Sequence, residues 1–349
     1  MLTTRRTLLA AAAGFALPAH AETIDARVGG AEATHPTLAA AIASAPGDRP
    51  FCILLSGRVR EKVIIDRPLI ELVGDGPGAT LSYDAAAGMR APDGEPWGTW
   101  RCATLIVRAP DFSARDLTIE NAFDYLADLV SPRFERIGSN GAQAIALMLD
   151  EAADRTRLRN VEITGHQDTL FANSGRALFE ECRISGSVDF IFGAGAAWFE
   201  SCELRSRYRP LMQRNHGWVA VPSTARADAY GLVFHRCRLT REAQVPPASV
   251  ALGRPWRPAR QFADGRYGDP DALGMAAFLR CWMDDHISAD GWDEMGYPNR
   301  GGGRVFLQPA EARLGEYRSE GPGAFVNRRR PQLPRPIVRA SVLRDWRPA

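Results

Sequence analysis

The chain has 349 residues, 45% of them hydrophobic, and a formal net charge of +2. A balance this even leaves no basic footprint for nucleic acid, while the apolar content can fill a large core. No apolar run in the mature chain approaches the ~18 residues that a membrane span needs.

Taken in order, the chain begins with an export signal over residues 1–21. Arg5 and Arg6 precede a short apolar run that ends in Ala19-His20-Ala21, a small-residue cleavage site. The arginine pair before Thr-Leu-Leu resembles a twin-arginine signal, with an ordinary secretory signal as the alternative. Residues 22–349 are then one domain acting outside the cytoplasm, periplasmic or secreted. Next, "HPTLAAAIASAP" (35–46) reads as a short amphipathic helix stopped by Pro46 and Gly47.

From there on a pattern recurs: "ARDLTIEN" (114–121), "LRNVEITG" (158–165), "EECRISGS" (180–187), "ESCELRSR" (200–207), "HRCRLTRE" (235–242) and "LRCWMDDH" (279–286). Each carries a small or polar residue (Asp116, Asn160, Cys182, Cys202, Cys237, Cys281) followed within three positions by an apolar one. The intervals are 44, 22, 20, 35 and 44, mostly about 21 or twice that, which is a solenoid period. The segments are short, β-branched and aromatic, and bounded by Gly, Asn or Ser, so they read as strands. About 20–25 residues hold about three such strands with their turns. The fold class expected is therefore all-β, a parallel β-helix. The helix at 35–46 caps its start, and the Pro- and Arg-rich tail from Asn327 packs on its outside. In that tail, Arg328-Arg329-Arg330 reads as a solvated surface. Asp284-Asp285 reads as strand-end charge, and His166 as a strand-edge residue satisfied by hydrogen bonds.

A 21-residue coil puts Asp168 and Asp189 at equivalent places on adjacent turns, with strands about 4.8 Å apart. Two carboxylates that close cannot both ionise cheaply, so one keeps a proton and the other stays charged. That is an acid beside a nucleophile. Gln167 adjoins Asp168, and Gln143 lies 25 residues before it, about one coil back. Two amide N–H donors there suit a developing oxyanion. Arg254 in "LGRPW" can fix a carboxylate through a two-pronged contact, and Trp256 offers a flat surface to a sugar ring. Cys182 and Cys202 are 20 apart. The Cα separation of about 4.4–6.8 Å in a disulfide fits adjacent strands, so a Cys182–Cys202 bridge is expected. Cys52, Cys102, Cys237 and Cys281 read as buried thiols. With no C-x-x-C and no H-E-x-x-H, a metal site has little support.

These residues resemble the pectin methylesterase (pectinesterase) family. The segments "QAIAL", "GHQDTLFA", "GSVDFIFG", "LGRPW", "GWDEM" and "GEYRSEGPGA" follow the family order. Their style is closest to secreted Gram-negative bacterial members. The resemblance implies a right-handed helix and a carboxylic ester hydrolase that removes methyl groups from methylated polygalacturonate. It makes Asp189 the nucleophile, Asp168 the acid and then the base, Gln143 and Gln167 the oxyanion donors, and Arg254 the residue that holds Asp189. It places Phe171, Phe192, Arg209, Trp256 and Met295 along the sugar groove. It also implies a Cys182–Cys202 bridge, no metal or organic cofactor, and a monomer whose partner is plant cell-wall pectin. His166, Ser187 and Val59 depart from the family's usual Tyr, Thr and Tyr. The competing readings are a pectin depolymerase, either glycosidase or lyase, and a relative that acts on another acyl ester.

Overall fold

Three parallel sheets of ten, seven and eight strands form the walls of the molecule. The computed structural model describes residues 23–130, 141–210, 215–344 and 346, so the expected export signal lies outside the described residues. One coil shows the plan. Strand Arg176–Glu180 belongs to the ten-stranded sheet, Arg183–Gly186 to the eight-stranded sheet and Ile191–Gly193 to the seven-stranded sheet. The next coil repeats it in register, with Phe179 beside Phe199 and Ile184 beside Leu204. The fold is a right-handed parallel β-helix, as expected.

The core consists of side chains stacked from coil to coil. Phe179, Phe199, Phe234 and Phe278 are fully buried, with ring centroids 4.5, 4.6 and 4.6 Å apart. Beside them run Cys182, Cys202, Cys237 and Cys281, all buried. The thiols are unbonded, which corrects the expected Cys182–Cys202 bridge. The Cys182 and Cys202 thiols nevertheless lie beside each other as neighbours in the column. Each sulfur donates to backbone carbonyls, Cys182 to Leu158 and Glu180, Cys202 to Phe179 and Glu200.

The repeat is also one residue out of step with the sequence alignment. Arg159 pairs with Glu180, so Asn160 matches Glu181, and Cys182 matches the buried Val161. The true turn positions are Asp116, Asn160, Glu181, Ser201, Arg236 and Arg280, all left-handed with φ between 51° and 60°. Strand patterns tolerate that slip because the turn consumes one residue whose side chain points out.

Both ends are closed. Helix Leu38–Ser44 is capped by Thr37, whose hydroxyl accepts from the Ala40 N–H, and it buries Leu38, Ala41 and Ile42. At the far end Phe278 is followed in register by a buried Glu316. Arg330, 0% exposed, meets it with Nε and Nη2 at 2.7 and 2.5 Å. Arg330 is therefore not a solvated surface residue. It inserts from the tail to neutralise the carboxylate that ends the stack, because a lone buried charge would be costly. Helix Arg339–Leu343 then packs Val342 and Leu343 against Leu178, Trp198 and Val233 on the outside of the ten-stranded sheet.

The seven-stranded sheet carries the candidate site. Its strands are β1 (Val63–Ile65), β2 (Leu105–Val107), β3 (Leu147–Leu149), β4 (Leu170–Ala172), β5 (Ile191–Gly193), β6 (Gly217–Pro222) and β7 (Val250–Gly253).

Candidate active site

Asp168 and Asp189 sit in the turns that enter β4 and β5. Gln167 bridges Val188, the Asp168 N–H donates to the Val188 carbonyl at 3.0 Å, and Leu170 pairs with Ile191. The two aspartates therefore occupy the same place on successive coils, as the spacing requires. Both adopt the left-handed conformation, φ 61° and 52°, which Asp tolerates better than most residues and which clusters at functional sites. The tight packing before the second turn depends on Gly186, where a Cβ would lie 2.3 Å from Phe190 Cβ.

Arg254, just after β7, grips Asp189 with a two-pronged fork, Nε to Oδ1 at 2.9 Å and Nη2 to Oδ2 at 2.7 Å. Asp168 has no such partner. Burial first, and the Asp189 charge second, push its carboxyl well above the usual carboxylate range, with Arg254 opposing. Asp168 keeps a partly exposed edge but is walled by protein elsewhere, so burial can dominate. The geometry thus separates a protonated acid from a clamped carboxylate.

Gln143 and Gln167 stand on neighbouring coils, joined by the Ala144 N–H to the Gln167 carbonyl at 3.1 Å. Gln143 Oε1 accepts from the Gly141 N–H at 2.8 Å, which leaves its NH2 end to donate. The Gln167 amide has no protein partner among the described residues, so it too can donate.

Beside the carboxylates runs an aromatic floor. Phe171 and Phe192 stack at 4.5 Å, and Trp256 meets Phe192 edge-on at 5.8 Å. Met295 packs on the same cluster. Trp100, which the sequence did not single out, lies 4.9 Å from Phe171 and is 47% exposed. Trp97, Tyr83 and Trp218 border the same cluster. The signal for the first two tryptophans was present in "EPWGTWR", two indoles in a polar, Gly-containing excursion between strands.

Arg209 is turned back on its own loop, donating to the Asn215 carbonyl at 2.8 Å and to the His216 carbonyl, with its charge near Tyr125. Tyr125 stacks on His166 at 4.9 Å and 11°. His166 is therefore a ring-stacked core residue; its Nδ1 lacks a partner, contrary to the expected satisfied edge position. Burial and the nearby Arg207 charge push it down to about 3. His166 and Ser187, two of the three departures noted in the sequence, touch each other beside the two aspartate turns, the Ser187 hydroxyl donating to the His166 carbonyl at 3.5 Å. Asp284 and Asp285 are both paired with Arg241, within 3.6 and 2.7 Å.

No cluster among the described residues could hold a metal ion, and none of the described helices is long and apolar enough to cross a membrane.

Comparison with known proteins fits this geometry. The pectinesterase family model matches residues 26–331. Pectinesterase A of Dickeya dadantii (strain 3937) is 40% identical over 325 residues, covering 90% of this chain and 88% of the relative. The structure of pectin methylesterase from Erwinia chrysanthemi superposes with a TM-score of 0.89 at 40% identity, covering 94% of this chain and 99% of that one. A pectin methylesterase in complex with a hexasaccharide gives the same TM-score, identity and coverage. The chain belongs to the pectinesterase family.

Proposed function

We propose that the protein is a pectinesterase that hydrolyses the methyl esters of methylated polygalacturonate through an acyl-aspartate intermediate. The observation that carries this is the in-register pair Asp168 and Asp189 with Arg254 forked onto Asp189 alone. Asp189 attacks the ester carbonyl carbon. The negative charge that forms on the carbonyl oxygen is met by the amides of Gln143 and Gln167. As the C–O bond to the methoxy group breaks, Asp168 gives its proton to the departing oxygen and methanol leaves. Asp168, now ionised, takes a proton from water, which attacks the acyl carbon and frees Asp189. The products are methanol and a galacturonic acid unit, which ionises by releasing its proton to solvent, with Asp168 protonated and Asp189 ionised again. Phe171, Phe192, Trp256 and Met295 supply the apolar floor for the sugar chain, and Arg209 borders it. The solved relative with a bound hexasaccharide supports a polysaccharide substrate.

A depolymerase on the same fold would also use paired carboxylates. The two glutamine amides favour the ester reading, because an oxyanion needs donors whereas an oxocarbenium ion does not. Residues 1–21 are an export signal in this reading, and the mature chain from residue 22 acts as a monomer in the periplasm or outside the cell. The test is an assay on highly methylated pectin that follows methanol, reducing ends and unsaturated ends together. Methanol alone is expected. New reducing or unsaturated ends without methanol would contradict the proposal.

A further inference from the structure

Arg254 does more than fork onto Asp189. The face of its guanidinium lies 3.8 Å from the centroid of the Trp218 ring, a close cation–π contact. The edge of that ring is itself tied down. Trp218 Nε1 donates to Asp293 Oδ2 at 3.1 Å, and Asn215 Nδ2 donates to the same oxygen at 2.6 Å. Asp293 is 8% exposed, and its Oδ1 accepts from the Glu294 N–H at 2.9 Å. Its own N–H donates to the carbonyl of Gly253, the residue before Arg254, at 2.9 Å. At Gly253 the backbones are so close that a Cβ would fall 1.9 Å from the Ala220 carbonyl oxygen.

The in-plane fork and the ring below it restrain different motions of the guanidinium. The carboxylate of Asp189 fixes rotation within the plane, while Trp218 fixes its tilt. A hydrogen-bonded indole is also a better platform, because donation to a carboxylate pushes electron density onto the ring face that meets the cation. Asp293 therefore sets both the platform and the backbone from which Arg254 projects, from a position outside the carboxylate pair.

We propose that Asp293 is a positioning residue for ester cleavage, acting through Trp218 to hold Arg254 flat and so to keep Asp189 in its attacking orientation. This rests on the reading of Asp189 as nucleophile. Asp293 touches no reacting atom, so its loss slows the chemical step and leaves substrate binding nearly unchanged.

The test compares methanol release by Asp293→Ala, Trp218→Leu and the double variant, with Asp189→Asn as control. Each single change is expected to lower kcat about tenfold with KM within about twofold. The double variant should be no slower than the worse single, because the two side chains act in series. Asp293→Asn keeps an acceptor for the indole and should recover most of the loss. Additive losses in the double variant, a kcat within about twofold of wild type in either single, or an effect confined to KM overturns the proposal. Should Asp293→Ala fail to fold, Asp293→Asn is combined with Trp218→Phe, which lacks the ring N–H. Asp293→Asn should then add nothing, and a further loss of kcat overturns the series arrangement. An inactive Asp189→Asn beside normal Asp293 and Trp218 variants defeats this inference alone. An active Asp189→Asn defeats it together with the reading beneath it.

Discussion

Inside the coils, Phe179, Phe199, Phe234 and Phe278 fill one position on four turns with one residue type. On the outer face of the seven-stranded sheet, the equivalent succession is Ile64, Ile106, Met148, Phe171, Phe192 and Val221. There the residue type drifts along the row, repeating only at Ile64–Ile106 and Phe171–Phe192, and the turns before β4 and β5 each carry an acid. The two regions share one backbone repeat. The inner one uses it to stack like on like, where each ring covers the next. The outer one uses it to hold functional groups at fixed spacing, and its two aspartates, alike in type and place, differ in their partners, since Arg254 forks onto Asp189 alone.

The sharpest way to separate the regions is Asp189→Asn. It removes a charge from the outer face without touching the core, so methanol release should fall by at least about 10³-fold. The melting temperature should fall only moderately, because Arg254 loses its counter-charge but keeps an amide oxygen and the Trp218 ring as partners. A melting temperature far below wild type would mean that the site also holds the fold. Phe199→Ala makes the opposite cut. It leaves a cavity between two fully buried rings and should destabilise by about 3–5 kcal/mol in a denaturant titration, with kcat of the folded protein unchanged.

How far the sequence revealed each region follows the same division. The pairing of Asp168 with Asp189 was legible because both lie in one uninterrupted stretch, 21 residues apart, where a coil length can be counted directly. The fold was legible from the same period. The Cys ladder was legible as a column but not as free thiols, since spacing says that two residues are neighbours and not whether their sulfurs are joined. Arg330 looked like surface charge because its partner, Glu316, is 14 residues away and recognisable only once the last coil is built. Trp218 and Asp293 are 75 residues apart, beyond any local pattern.

Gln167→Ala tests the outer face at a single donor. It should lower kcat about 10²-fold, and more than it weakens substrate binding. An unchanged kcat would remove Gln167 from the oxyanion site.

The smallest effect expected is in acid stability. Burial pushes His286 down from 6.5 to about 4, and neither ring nitrogen has a partner. The unfolded chain takes up that proton first, so the stabilising contribution is full above 6.5 and is lost as pH falls toward about 4. His286→Phe should flatten the fall in melting temperature over that window and leave kcat alone. A slope identical to wild type would assign the acid sensitivity to other groups, of which the stacked His166 is the next to examine.

The most direct test of the division of labour compares Asp168→Asn and Asp189→Asn on galacturonate oligomers esterified with methanol and with trifluoroethanol. Trifluoroethoxide leaves without needing a proton. The account predicts that Asp168→Asn gives a rapid burst of alcohol from the trifluoroethyl ester but not from the methyl ester, while Asp189→Asn gives none from either. A burst from Asp189→Asn, or none from Asp168→Asn on the activated ester, would contradict it.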